Sequence, residues 1–424
     1  MEFVGLSDAQ AEIVCSNAKK IIVDAGSGAG KTRTLTEKVR MLLESGEDPK
    51  SIVVITFTNM AANELIDRLS TTKGSDKCFV GTIHSYANNI LKLGGSNHEV
   101  FSEQYQTQFM QTLIPKYARY CTFDDYKQFV KYDRMVSAGR MSASDIQYKF
   151  PSNEVYNEIM YLLGRMHSYR YEETVMTLCK ANNIITFDEM LERATEYFKK
   201  NNVKPKYMFV DELQDIGYLE YNFLMSIGSE YTFCIGDDFQ SLFAFKGGDV
   251  NIFLSLMHNP EWKAFYLTEN YRTAKSILRY ANAVIKQAKN IIPKEVIPMS
   301  EKEGILDFRA GSLFESFVSE IKDGEDWFIL TRTNKEMNHV ESIVKQSGKD
   351  YYCFKQSTVS DKKMKEIRSK KCIKIMTVHA SKGQECDNVA LYGRFPIKGT
   401  KDEDEYKVFY VGLTRAKNRC VIFV

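Results

Sequence analysis

No stretch of this chain approaches the roughly 20 consecutive apolar residues that a membrane-spanning helix needs, so no membrane partner is expected. The start, Met1 to Gln10, lacks a basic segment followed by an apolar one, and a secretory leader is not expected either. No CxxC pair occurs among the nine cysteines, which are scattered. That argues against a disulfide framework or a structural zinc site and fits a reducing cytoplasm. No charge of one sign dominates, because 57 Lys and Arg face 55 Asp and Glu, so any surface for nucleic acid has to be local. Internal repeats and low-complexity linkers are missing as well. What remains is a globular composition, 44% hydrophobic and 26% charged, over 424 residues, long enough for two or three domains.

Along the chain, residues 21–25 (IIVDA) form a short apolar run that ends at a glycine-rich turn. Helical spacing follows, with Leu35, Val39 and Leu42 on one face. Residues 51–58 (SIVVITFT) read as a second buried strand before a helix carrying Ala62, Leu65 and Leu69. Residues 206–212 (KYMFVDE) and 231–237 (YTFCIGD) read as further strands. Apolar runs that end in polar residues are the pattern of buried parallel strands with function at their carboxyl ends. The middle, about 88–200, lacks strong strands and reads as a helical insertion. Between Tyr105 and Tyr171 it carries nine Lys and Arg against six Asp and Glu. A second α/β unit begins near 267, with strands expected at 326–333, 372–380, 388–393 and 419–424. The most biased segment is the basic run 362–374.

AGSGAGKTR (25–33) stands at a strand-to-helix junction. Glycines let Ala25, Gly26, Ser27, Gly28, Ala29 and Gly30 turn their backbone N–H groups toward phosphate oxygens, and the helix N-terminus adds its positive end. Lys31 can reach the β- and γ-phosphates of ATP, and Thr32 can ligate Mg²⁺. The strict pattern has glycine where Ala25 stands. At 210–215 (VDELQD), Asp211 is the expected Mg²⁺ ligand, and Glu212 is placed to polarise the attacking water. Alone, each segment could be a turn without a ligand; together they describe a nucleotide hydrolase. Charge moving on the γ-phosphoryl group needs a cation, and an arginine finger is worth about 10³ to 10⁵ in rate. Arg272 in ENYRT and Arg415 in YVGLTRAKN are the candidates, supplied from the second half of the chain. Surface salt bridges are the plainer account of each arginine taken singly.

The order of these segments resembles that of the UvrD/Rep family, superfamily 1 type A helicases. LSDAQ (6–10), AGSGAGKTR, TFTNMAANEL (56–65), GTIHS (81–85), DELQD, GDDFQSLFAFKGG (236–248), NYRT (270–273), TVHASKGQECD (377–387) and VFYVGLTRAKN (408–418) match the family's motifs in sequence. The resemblance implies an α/β fold of two RecA-like lobes with parallel sheets and one mainly helical insertion, called 1B. The boundaries it implies are 1–88 and 201–266 for the first lobe, 89–200 for the insertion and 267–424 for the second lobe. It implies that Gln10 binds the adenine edge, with Arg33 and Tyr271 packing on the base. Gln240 is implied as a γ-phosphate sensor and Glu385 as a ribose contact. Phe57, Thr58, Asn59, His84, Phe243, Phe245, Lys246, Thr377 and His379 are implied as contacts to DNA. Phe243 and Phe245 stand where the family often has Tyr and Trp, and Lys246 replaces the usual Arg, turning a planar fork into a point charge.

The implied activity is ATP- and Mg²⁺-dependent movement along single-stranded DNA, 3′ to 5′, with unwinding at single/double-strand junctions. Only 44 residues lie between Arg332 and Thr377, where relatives carry a large insertion called 2B, and the chain ends after its last motif. The expectation is therefore a compact member without 2B. Either the 1B insertion or the basic run around Lys362, Lys363 and Lys365 is the candidate for the missing duplex contact. The alternative is a DNA-stimulated ATPase subunit that regulates a protein partner, such as a nuclease or a replication or repair factor. A P-loop kinase or metabolic NTPase is a further alternative, indifferent to DNA.

Overall fold

The computed structural model describes residues 5–101, 103–137, 147–167, 183–201, 203–243, 248–354, 367, 370–396 and 404–424. The chain opens with α1 (Asp8–Cys15), β1 (Lys20–Ala25), α2 (Lys31–Glu44), β2 (Ile52–Thr56), α3 (Asn59–Leu69), β3 (Phe79–Thr82) and α4 (Ile83–Leu93). The middle holds β4 (Glu99–Val100), α5 (Glu103–Tyr117), α6 (Phe123–Ser137), α7 (Asn153–His167), β5 (Ile184–Ile185) and α8 (Phe187–Lys200). Next come β6 (Tyr207–Val210), α9 (Tyr218–Ile227), β7 (Tyr231–Gly236), α10 (Val250–Met257), β8 (Lys263–Leu267), β9 (Glu269–Asn270), α11 (Lys275–Ile285) and β10 (Ile297–Pro298). The remainder is β11 (Ile305–Arg309), α12 (Phe314–Glu320), β12 (Trp327–Thr331), α13 (Asn334–Gln346), β13 (Tyr351–Cys353), β14 (Ile373–Thr377), β15 (Cys386–Tyr392), α14 (Asp404–Leu413) and β16 (Ala416–Phe423).

Two six-stranded sheets, parallel throughout, carry the architecture expected of RecA-like lobes. The first has the order β3-β2-β6-β7-β1-β8 and the second β11-β16-β15-β12-β14-β13. Strands β2, β6 and β12 are buried along their whole length. Such strands have both faces covered by helices, so their sequences are continuous apolar runs. Helix α2 lays Leu35, Val39 and Leu42 on the first sheet, and α3 does the same with Leu65 and Leu69. Thr58 caps α3, its hydroxyl accepting from the Ala61 N–H at 3.1 Å. One face of the second sheet packs on Phe314, Phe317, Val340 and Val344. The other packs on α11 and α14, and the same core takes in Phe239 and Leu242 of the first lobe.

The first and second lobes belong to one compact unit, and Ala87–Ala194 lies in another. That second unit is mainly helical. Its core is built from Phe109, Leu113, Tyr126, Phe129, Ile159 and Leu162, with Ile184 of β5, which pairs in parallel with β4. Among the described residues no helix is long and apolar enough to cross a membrane.

The sequence reading did not place β3, β8, β11 or β13. These are the four outer strands of the two sheets, and their residues are only partly buried. A strand with one side open to solvent has no need of an unbroken apolar run. Most of the basic run 362–374 lies outside the described residues, including Lys362, Lys363 and Lys365.

Candidate nucleotide site and strand interface

The carboxyl ends of β1, β2, β6 and β7 deliver Ala25, Thr56, Val210 and Gly236 to one edge of the first sheet. The phosphate loop leaves β1 there. Gly28 and Gly30 adopt left-handed backbone, φ +70° and +81°. A Cβ at Gly28 would meet the Asn270 side-chain nitrogen at 2.7 Å, and one at Gly30 would meet that of Gln10 at 2.6 Å. Both conformation and space therefore demand glycine. Helix α2 starts at Lys31, whose ammonium donates to the Ala25 carbonyl at 3.0 Å and faces Asp237 Oδ2 at 3.8 Å.

A cavity of about 900 Å³ opens in front of this loop. Gly28, Ala29, Gly30, Lys31, Thr32 and Arg33 line it from the first lobe, with Asp211, Glu212 and Gln240. Tyr271, Arg272, Glu385 and Arg415 line it from beyond the first sheet. Ala25, Gly26 and Ser27 stand behind the wall. So does Gln10, buried, whose amide donates to Ala29 O at 2.9 Å while its oxygen accepts from the Ser7 N–H at 3.1 Å. Tyr271 is half exposed, its N–H donating to Gly28 O at 3.1 Å and its hydroxyl to Glu269 at 2.7 Å.

The two neighbouring carboxyls are pushed in opposite directions. Asp211 is raised to about 7 by burial, with the neighbouring Glu212 pushing the same way against Lys31. Burial also pushes Glu212 up, but Lys382 and Lys31 outweigh it and hold its carboxyl below the usual range. Glu212 sits at φ +54°, a left-handed backbone unusual outside glycine, and its carboxylate accepts from the Gln214 amide at 2.5 Å. Asp211 is thus a buried carboxyl in want of positive charge, on the same cavity as the Thr32 hydroxyl. Two hard oxygen ligands of this kind suit Mg²⁺.

Arg415 is buried in the turn between α14 and β16. It donates to Val411 O at 3.0 Å, Gln384 O at 3.1 Å and Gln240 Oε1 at 2.8 Å. Burial and the nearby Arg272 lower it to about 9, which leaves it charged at neutral pH. Arg272 pairs with Glu385 at 2.5 Å, and Lys417 pairs with the other oxygen of Glu385 at 2.7 Å. Burial raises Glu385, yet Arg272 and Lys417 prevail and hold it low.

Phe57 and Phe243 stack with ring centroids 5.2 Å apart, and His379 meets Phe243 edge-on at 6.4 Å. Thr58 and Asn59 are exposed beside them at the start of α3, and Thr377 is half-buried at the end of β14. His84 is half-buried near the start of α4. Phe245 and Lys246 lie outside the described residues.

Sequence reasoning passed over several residues of this site. Lys382 pairs with Asp215, donates to Gln240 O at 2.7 Å, lies 3.6 Å from Glu212 and stands 5.4 Å over the Phe243 ring. It joins the cavity to the aromatic patch, and its place in TVHASKGQECD was the available signal. Asn270 donates to Ser27 O at 2.5 Å, tying the segment after β8 to the phosphate loop. Asp24, Asp237, Asp238 and Lys294 form a buried ionic cluster next to Lys31. A carboxylate inside the apolar run IIVDA was a sign of that cluster; Lys294 had none.

Comparison with known proteins gives two family matches. Residues 6–261 match the UvrD/REP helicase N-terminal domain, and residues 351–424 match the UvrD-like helicase C-terminal domain. A probable DNA helicase of Mycoplasma pneumoniae is 25% identical over 96% of this chain and 81% of its own length. The ATP-dependent DNA helicase Rep of Buchnera aphidicola is 29% identical over 73% of this chain and 46% of its own length. PcrA of Bacillus subtilis is 27% identical over 82% of this chain and 50% of its own. The chain thus spans about half the length of the Rep and PcrA relatives it matches.

Proposed function

The chain belongs to the UvrD/REP helicase family, and from that premise we propose that it is an ATP-driven motor on single-stranded DNA, a translocase and helicase moving 3′ to 5′. One observation carries this reading. The phosphate loop, the Asp211–Glu212 pair, Gln240, Arg272 and Arg415 all line a single cavity between two parallel sheets. A site made by two lobes is completed only when they close, which couples hydrolysis to movement.

In this reading Lys31 and the loop N–H groups bind the phosphates of ATP, and Arg33 and Tyr271 pack on the base. Gln10 reads the adenine edge, and Glu385 contacts the ribose. Thr32 and Asp211 would hold Mg²⁺, which when bound supplies positive charge against the phosphate oxygens. Glu212, kept ionised by Lys382 and Lys31, accepts a proton from the attacking water. Arg272 and Arg415 stabilise the departing γ-phosphoryl group, and Gln240, bonded to Arg415, senses it. Bases stack against Phe57, Phe243 and His379, each worth about 1–3 kcal/mol without sequence choice. The 44 residues between Arg332 and Thr377 include α13 and β13, which supports a member without the 2B insertion.

ATP hydrolysis measured with and without a single-stranded oligonucleotide tests the proposal, followed by strand displacement on 3′-tailed and 5′-tailed duplexes. Stimulation by the oligonucleotide, loss of hydrolysis in Lys31→Ala and preference for the 3′ tail are expected. Hydrolysis at one rate with or without the oligonucleotide would refute the motor.

A further inference from the structure

Asp24 lies near the end of β1, and Asp237 and Asp238 follow the neighbouring strand β7. Their carboxylate oxygens lie within 4.8 Å of one another, and all three side chains are buried. Such a group repels itself unless a cation stands inside it. Lys294 is that cation, and it comes from the segment between α11 and β10 in the second half of the chain. Its ammonium donates to Asp237 Oδ1 at 3.1 Å and Asp238 Oδ1 at 2.6 Å, pairs with Asp24, and stands 4.2 Å over the Phe239 ring. The side chain is 3% exposed. The Ile292 N–H donates to the other oxygen of Asp238 at 2.5 Å, so the segment is held at two points. A few residues on, β10 pairs with β9, whose Asn270 bonds the phosphate loop. Lys294 is therefore placed where the chain crosses from one sheet to the other.

The two oxygens of Asp237 face different partners. Oδ1 takes Lys294 and the Phe239 N–H, the latter at 3.2 Å. Oδ2 takes the Gln240 amide at 2.6 Å and faces Lys31 at 3.8 Å. Gln240 in turn accepts from Arg415. One carboxylate is thus shared between the lobe crossing and the groups that read the phosphates.

We propose that Lys294 is a positioning residue for ATP hydrolysis: by holding Oδ1 of Asp237 it keeps Oδ2 aimed at Gln240 and keeps Lys31 available to the nucleotide. The inference rests on the motor reading of the site. Its physical core is competition for charge. With Lys294 in place, Asp237 has its own cation. Without it, the nearest remaining ammonium across 3.8 Å is that of Lys31, and Asp237 competes with phosphate for it. Gln240, bonded to the same oxygen, shifts with it.

The test compares second-site suppressors by steady-state ATPase kinetics in the presence of a single-stranded oligonucleotide. Lys294→Met is expected to raise the KM for ATP about tenfold or more and to lower kcat, as loss of one partner of a buried charge pair implies. Adding Asp237→Asn removes the competitor for Lys31 and is expected to bring KM back to within about threefold of wild type. Adding Asp24→Asn removes a carboxylate from the same cluster but leaves Asp237 free to take Lys31, and KM is expected to stay high. A merely structural Lys294 predicts equal recovery in both double variants, and that result overturns the inference. So does a Lys294→Met enzyme with wild-type KM and kcat. Should the single variant fail to fold, the two double variants, each relieved of one buried charge, decide the matter between them. Failure of the motor reading is separate: it shows in the wild-type protein as hydrolysis indifferent to DNA.

Discussion

Arg415 shows how much a single side chain is constrained here. Its guanidinium is bonded to two backbone carbonyls of its own lobe and to Gln240, and the residue is almost wholly buried. Arg415→Ala is expected to lower kcat by about 10³-fold or more with a smaller change in the KM for ATP, as removal of an arginine finger does. Steady-state kinetics with saturating oligonucleotide read both values. Lys38 makes a different residue-scale prediction. Its buried ammonium donates to Val14 O at 2.9 Å and Ser16 O at 2.7 Å, and burial lowers it to about 8 from 10.5. Between those values the unfolded chain binds more protons than the fold, so this group adds stability as pH rises from about 8 toward 10.5. Denaturation at pH 7.5 and 9.5 is expected to show wild type gaining on Lys38→Met at the higher pH. That Lys31, Asp211, Glu212, Arg272 and Arg415 would be gathered on one cavity was legible in the sequence, because each sits in a motif with its own spacing. Lys294 was not, since its role comes from three carboxylates brought to it by distant strands.

At the scale of elements, legibility followed burial. The eight inner strands of the two sheets were readable as apolar runs, while the four outer ones, β3, β8, β11 and β13, were not. In β11 the exposed Ile305 and Phe308 flank the half-buried Leu306 and Asp307, so no run or clean alternation exists to be read. Helices were readable where one face is committed to a sheet, as with Leu35, Val39 and Leu42 on α2. Helix ends are set more locally. Thr333 and Glu336 form a reciprocal cap at the start of α13, with the Thr333 hydroxyl accepting from the Glu336 N–H at 3.2 Å and the Thr333 N–H donating back at 2.9 Å. Thr333→Ala is expected to cost about 1 kcal/mol of stability. Urea denaturation measures it, and ATPase activity is expected to stay at the wild-type level.

For the whole molecule, the two sheets meet through the crossing at β9 and β10 and through a core that includes Phe239 and Tyr410, packed edge to face at 5.4 Å. A nucleotide held by both lobes stabilises them together. A non-hydrolysable ATP analogue with Mg²⁺, at a hundredfold excess over its Kd, is expected to add about 2.7 kcal/mol to unfolding. Calorimetry is expected to show one transition moving upward for wild type and no movement for Lys31→Ala.

Every loose side chain that must be ordered before a bond can break adds an entropic toll to each turnover, about 2 kcal/mol for a fully mobile arginine. In the proposed motor, Arg415 has given up most of that freedom on folding, to the Val411 and Gln384 carbonyls of its own lobe. Neither bond crosses the cleft, so in this reading parting of the lobes leaves both in place.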